Sequence, residues 1–227
     1  MQHLAMIMDG NRRWAKKNSI INPYNEKSQE AVKTAITFCI KQNIPYLSLF
    51  AFSLENFKRP LLERERVFSL LKKVLTHHLD ELIEEGIRIR FIGDRALFPS
   101  FLKPHIEEAE EKSAPCSRLN LNILFCYGGQ QELAHATKKI AQAVKEGRLR
   151  LEDISEQTFK EELWTAGMPN PDLIIRTSGH YRLSNFLLYQ AAYSELAFVD
   201  CYWPEITEDL IQECVQKYEL TKKNYGQ

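Results

Sequence analysis

Six short apolar runs alternate with helical segments along this chain, and that alternation restricts the fold more than any other feature. The runs are HLAMIM (residues 3–8), PYLSLFAF (45–52), IRIRFIG (87–93), LNLNILFCY (119–127), DLIIRT (172–177) and ELAFVDCYW (195–203). Between and after them come stretches with helical spacing at 28–43, 61–86, 132–147, 155–167 and 207–223. Runs that stay apolar instead of alternating with polar residues belong to strands buried on both faces, as in a parallel sheet covered by helices. The expectation is an α/β fold: one domain over 1–227, with a mostly parallel sheet of about six strands flanked by helices. Its 227 residues suffice for one such domain with a sizeable core. Gly86 and Gly147 stand where helix stops belong.

Composition narrows the function classes. Lys+Arg and Asp+Glu both total 30, so no global positive field grips nucleic acid, and only a local basic pocket stays open. The apolar run IPYLSLFAF is too short to span a bilayer, and the chain opens without a signal-peptide pattern. Any membrane contact is expected to be peripheral, through a lipidic ligand. The five cysteines (Cys39, Cys116, Cys126, Cys201, Cys214) are scattered and lack a C-x-x-C, which predicts reduced thiols, a cytoplasmic setting and no zinc site.

In open parallel sheets, ligands bind beyond the carboxyl ends of the strands. The first run ends in Asp9-Gly10-Asn11-Arg12-Arg13-Trp14. Gly10 permits a tight turn and close ligand approach, and a helix start behind it suits a phosphate. Asp9 would repel a phosphate alone but suits Mg²⁺, which takes carboxylate together with phosphate oxygens. The plainer reading is that Asp9 or Asn11 caps a helix and the arginines are solvated. The second run ends on Ser53, Glu55, Asn56 and Arg59, either a polar loop before a helix or a cluster of ligand-binding groups. The fifth ends on Arg176, which with Arg182 and Ser184 flanks a Ser178-Gly179 turn. Guanidinium forks match phosphate oxygens. Of the remaining candidates, His77 and His78 read as surface, His105 as structural near a helix start, and Trp164 and Trp203 as packing. The segment RERVFSLLKK offers an apolar face for a core or for a lipid tunnel.

In order and spacing, these blocks resemble the cis-prenyltransferase family of the undecaprenyl diphosphate synthase type. The resemblance runs from MIMDGN through YLSLFAFSLENFKRP and LNLNILFCYGG to DLIIRTSGHYRLSNFLLYQAAYSELAFVDCYWPEI. It implies an enzyme that condenses isopentenyl diphosphate with an allylic diphosphate such as farnesyl diphosphate. The product is a cis-polyprenyl diphosphate, the carrier lipid for cell-wall glycan synthesis. It further implies a homodimer, a hydrophobic tunnel between sheet and helices, and Mg²⁺ held by Asp9 and Glu195. By the same resemblance Asp9 and Asn56 are catalytic; since an amide is a poor base, Asn56 orients rather than abstracts a proton. Gly10, Asn11, Arg12, Arg13 and Trp14 lie along the allylic diphosphate, and Arg176, Arg182 and Ser184 match the isopentenyl diphosphate site. Ser53, Leu54, Glu55, Phe57, Arg59 and Leu183 complete the expected substrate contacts.

The chain departs from the family pattern at several of these places. Arg12 replaces a usual glycine, Asn22 a usual arginine and Glu26 a usual histidine. Asn22 and Glu26 are kept among the expected substrate contacts. Asn25 and Gln29 replace glycines, and Ser178, His180 and Tyr181 replace glycine, glutamate and a variable residue. Asn224 replaces an arginine, and Phe57 stands where tryptophan is frequent. One reading takes Glu26 and His180 as an exchange of partners that keeps an acid–imidazole contact, and Arg12 as a stand-in for the cation lost at Asn22. The alternatives are a catalytically degenerate partner subunit that binds prenyl diphosphate, and a short-chain or branching coupling enzyme on the same fold.

Overall fold

The computed structural model describes residues 1–221. Its elements run β1 (His3–Ile7), α1 (Asn11–Lys17), α2 (Glu26–Lys41), β2 (Tyr46–Ser53), α3 (Leu61–His77), α4 (Leu79–Glu84), β3 (Ile87–Ile92), α5 (Lys103–Ser113), β4 (Leu119–Tyr127), α6 (Gly129–Lys145), α7 (Glu156–Glu161), β5 (Leu173–Arg176), β6 (Glu195–Phe198) and α8 (Glu208–Leu220). The six strands form one sheet in the order β3-β4-β2-β1-β5-β6, every pair parallel. All six expected runs are strands, although the last is shorter than its apolar stretch, ending at Phe198.

β1 explains why the runs read as continuously apolar. Leu4 and Met6 join the larger core on one face, while Ala5 and Ile7 join the smaller core on the other. The chain leaves β1 toward β2 on one side and returns as β5 on the other, so the strand order switches between β1 and β5. A crevice at such a switch point is the favoured ligand position in this architecture. Its floor is set by the register that pairs Ile7 with Arg176.

The segment 61–86 reads as one helix in sequence but folds as two. The chain breaks at His78, whose φ of −123° leaves the helical region, and α4 begins at Leu79. Leu75 and Leu79, on either side of the break, are both buried, and His78 borders the cavity. The His78 side chain is 32% exposed and lies 3.1 Å from the Glu81 carboxylate, so it stands at the surface as expected, on the cavity border. Pro104 sits in the first turn of α5, the one sequence signal for that helix. Gly86 and Gly147 follow the ends of α4 and α6 with φ of 76° and 70°, left-handed positions that suit glycine.

His3 pins the start of β1. It is wholly buried, its Nδ1 lies 2.8 Å from the Pro169 carbonyl, and its Nε2 lies 2.7 Å from the Ser48 hydroxyl. Burial lowers the imidazole from 6.5 to about 4, against the opposing pull of the Pro169 carbonyl and the Asp172 carboxylate. Between these values the unfolded chain binds the extra proton, so stability present above pH 6.5 falls as pH drops toward 4. The loss from this group is about 3 kcal/mol. Urea unfolding at pH 7 and pH 4.5 should show it, and His3→Gln should flatten that slope; an unchanged slope would remove His3 as its source.

Candidate active site

Asp9 follows β1 directly, and its backbone is fixed before its side chain is considered. The Asp9 N–H donates to the Thr177 hydroxyl at 3.0 Å, and that hydroxyl donates to the Asp9 carbonyl at 2.6 Å. The Trp203 N–H donates to the same carbonyl at 3.0 Å. Gly10 then turns with φ of 103°, where a Cβ would stand 2.7 Å from the Tyr202 ring. Glycine is required here on both counts.

The carboxylate meets two guanidinium groups. Arg13 Nη2 donates to Oδ1 at 3.1 Å and Arg176 Nη2 to Oδ2 at 2.8 Å. Burial opposes ionisation of Asp9, but the hydrogen bonds and charges of Arg176 and Arg13 outweigh it and lower its pKa from the ordinary value. The Asp9 side chain is 28% exposed and that of Arg176 only 4%. Arg176 Nη1 donates to the Ser184 hydroxyl at 2.7 Å and to the Arg182 carbonyl. Arg182 Nε donates to the same hydroxyl at 3.2 Å. The Arg176 Nε and the Ser178 hydroxyl are buried without a protein partner at this end of the sheet.

The end of β2 forms the opposite wall. The Ser53 N–H donates to Asn56 Oδ1 at 3.2 Å, which leaves the Asn56 amide group as a donor. Arg59 Nη1 donates to the Tyr24 hydroxyl at 2.6 Å and to Glu63 at 3.1 Å. Arg12, 63% exposed, lies 3.6 Å from the same Glu63 carboxylate. Asn11 accepts from the Ser28 hydroxyl at 2.7 Å, which ties α1 to α2.

These residues ring the mouth of one cavity of about 1130 Å³ that runs between the sheet and α2, α3 and α4. Ile36, Leu49, Val67, Leu71, Leu121 and Phe125 line its interior, and His78, Glu81 and Glu85 border it beside α4. The cavity wall takes in Asp9, Gly10, Asn11, Arg12, Arg13, Ser53, Glu55, Asn56, Arg59, Arg176, Arg182 and Ser184, the greater part of the residues expected from sequence.

Other expected residues lie elsewhere. Trp14, Leu54, Phe57 and Leu183 pack behind the wall; Phe57 sits edge-on to Phe52, with ring centroids 5.1 Å apart. Asn22 is exposed and accepts from the Tyr24 N–H at 3.1 Å. Glu26, exposed at the start of α2, makes neither hydrogen bond nor ion pair with His180, so the exchanged contact does not form within one chain. Burial lowers the His180 pKa, and the neighbouring charges of Arg13 and Arg182 lower it further. Glu195 starts β6 opposite Leu173, whereas Asp9 lies at the Arg176 end. Three residues of strand, roughly 10 Å, separate those ends, so one chain does not bring Glu195 to Asp9. Asn224 lies outside the described residues.

Sequence reasoning missed Thr177, Tyr24 and Asn185. Thr177 was signalled by its place after Arg176 at a strand end; nothing local marked the other two. No group of three or more His, Cys, Asp or Glu converges to cage a metal among the described residues. The ionised Asp9 carboxylate at this cationic mouth instead fits a hard cation that takes its remaining ligands from diphosphate oxygens and water. No helix among the described residues is long and apolar enough to cross a membrane.

The chain is similar to known proteins in sequence and in fold. The family model described as putative undecaprenyl diphosphate synthase matches residues 7–226. An isoprenyl transferase of Agrobacterium fabrum is 42% identical over 99% of this chain and 92% of its own length. The farnesyl-diphosphate-specific ditrans,polycis-undecaprenyl-diphosphate synthase of Legionella pneumophila is 38% identical over 100% of this chain and 95% of its own. Among solved structures, lavandulyl diphosphate synthase from Lavandula x intermedia, in complex with dimethylallyl diphosphate, has a TM-score of 0.95 at 30% identity, covering 100% of this chain and 98% of that one. A probable undecaprenyl diphosphate synthase of Campylobacter jejuni has a TM-score of 0.83 at 30% identity, covering 100% and 99%. The chain therefore belongs to the undecaprenyl diphosphate synthase family of prenyltransferases.

Proposed function

We propose that this chain is a Mg²⁺-dependent isoprenyl transferase. It condenses isopentenyl diphosphate with farnesyl diphosphate, or a similar allylic diphosphate, into a cis-polyprenyl diphosphate that serves as carrier lipid for cell-wall glycan synthesis. One observation carries the reading: a single cavity joins an arginine-rich mouth, where Asp9 is held between two guanidinium groups, to an apolar interior. Such a cavity suits a molecule with a diphosphate at one end and hydrocarbon behind it.

In this reading Asp9, Arg13 and the turn at Gly10 take the allylic diphosphate. Bound Mg²⁺, held by Asp9 and diphosphate oxygens, would absorb negative charge as the diphosphate departs. Arg176, Arg182 and Ser184 orient the second diphosphate. The apolar walls exclude water from the allylic carbon that gains positive charge. Asn56 donates its amide N–H groups and positions substrate, its orientation set by the bond from the Ser53 N–H to its oxygen. A homodimer is supported by exposed apolar residues on and near edge strand β6: Leu196 and Tyr181. A cytoplasmic setting is supported by five free cysteines. A second reading, a short-chain branching enzyme, draws on one observation, the 0.95 TM-score to lavandulyl diphosphate synthase.

Asp9→Ala should lower turnover at least ~10²-fold, the scale of losing one key electrostatic group. Near-normal Mg²⁺-dependent turnover in a folded variant would contradict the metal assignment. Arg182→Ala is the cleaner probe of the second diphosphate, because Arg176 also neutralises Asp9. It should raise KM for isopentenyl diphosphate about 10-fold, as one charge-assisted contact is lost, with KM for the allylic substrate little changed. Equal changes in both would show that the two substrates are misassigned.

Arg12 lines the mouth and Asn22 does not. On the view that Arg12 supplies the cation missing at Asn22, Arg12→Gly should weaken farnesyl diphosphate binding at fixed Mg²⁺. Adding Asn22→Arg should restore much of it. Tighter binding by Arg12→Gly alone would favour the degenerate partner-subunit reading.

A further inference from the structure

The loop carrying Arg182 and Ser184 has little regular structure to hold it. Ser184, Asn185 and Leu187 all take left-handed φ values, 51°, 67° and 43°. Its register against the rest of the site is nevertheless defined, and Asn185 makes the connections. Asn185 Nδ2 donates to Glu55 Oε1 at 2.9 Å and to Gln131 Oε1 at 3.0 Å. Asn185 Oδ1 accepts from the Gln130 N–H at 2.8 Å, and the Asn185 carbonyl accepts from the Gly129 N–H at 2.7 Å. One residue thus joins the Arg182–Ser184 loop to the turn after β2 and to the start of α6, with both side-chain donors used and the amide oxygen engaged.

The neighbours are fitted to this junction. A Cβ on Gly128 would stand 2.7 Å from Asn185 Nδ2 and 2.3 Å from Gln131 Oε1, so a side chain there would break the connection. Asparagine tolerates the left-handed backbone better than most residues. Burial opposes ionisation of Glu55, but its own backbone N–H, Asn185 and Ser53 outweigh that and lower its pKa. The Glu55 carboxylate is thus engaged by protein, although it lines the cavity and was expected to bind substrate.

We propose that Asn185 is a positioning residue that sets the Arg182–Ser184 loop against the Glu55–Asn56 turn, and so fixes the spacing at which the second diphosphate is held. The proposal rests on assigning that loop to isopentenyl diphosphate. Asn185→Asp keeps the backbone conformation and the acceptor for Gln130, but removes both donors and sets a carboxylate against Glu55. The double variant Asn185→Asp with Glu55→Gln reverses donor and acceptor across the same 2.9 Å contact, and the Gln131 amide can turn to donate.

Purified full-length chains are assayed for both KM values, kcat and Tm. Asn185→Asp should raise KM for isopentenyl diphosphate about 10-fold, the scale of a lost hydrogen bond to a charged group, with the allylic KM within about twofold. The double variant should recover most of that rise. A merely structural role predicts instead a lower Tm with both KM values shifted together, and that result overturns the proposal. So does an unchanged KM in Asn185→Asp, or a double variant no better than the single one. Arg182→Ala runs alongside: if it also leaves KM for isopentenyl diphosphate unchanged, the site assignment itself fails and takes the proposal with it. If Arg182→Ala raises that KM and Asn185→Asp does not, the positioning role alone is wrong.

Discussion

The contact between Asp9 and Arg176 is the interaction on which the site depends. Strand register places Arg176 beside Ile7, at the point where the order of strands switches. The guanidinium is almost wholly buried there, an arrangement that is costly unless a counter-charge and hydrogen bonds compensate. Asp9 supplies the charge at 2.8 Å, and Ser184 with the Arg182 carbonyl takes the other edge. The same arginine therefore keeps the carboxylate ionised and fastens the loop that carries a second set of anion-binding groups. The two halves of the mouth are one electrostatic unit, and a change on either side is felt on the other.

Behind the mouth the physics changes from charge to exclusion. The interior walls contributed by α3 and β4, with Ile36 of α2 and Leu49 of β2, are apolar, and the cavity they enclose is continuous with the cationic rim. A diphosphate ester of a long hydrocarbon satisfies both regions at once, with neither a buried unpaired charge nor exposed lipid. The break at His78 belongs to this design. It turns the chain from α3 into α4 beside the cavity and places His78, Glu81 and Glu85 along that stretch of its border.

The sheet was legible because burial on both faces writes itself into the sequence as unbroken apolar runs. Leu4 and Met6 face one core and Ala5 and Ile7 the other, and no polar residue interrupts them. Asp9, Gly10 and Arg176 were legible because strand ends are where ligands bind in this architecture. Asn185 was not: its partners Glu55 and Gln131 lie 130 and 54 residues away, and only the fold brings them together. Neither was the break at His78, since the apolar period continues through it. Trp14 and Phe57 stand next to site residues in sequence, yet their side chains turn to the core, which neighbourhood along the chain does not reveal.

The central claim is that a chain with Arg12, Asn22, Glu26 and His180 in place of the usual residues still elongates a prenyl chain. The direct measurement is to incubate the purified chain alone with farnesyl diphosphate, isopentenyl diphosphate and Mg²⁺, and to size the products by chromatography. The account predicts a series of cis-polyprenyl diphosphates longer than the starter, formed without any partner protein. A single short branched product, or no product despite bound farnesyl diphosphate, would contradict it.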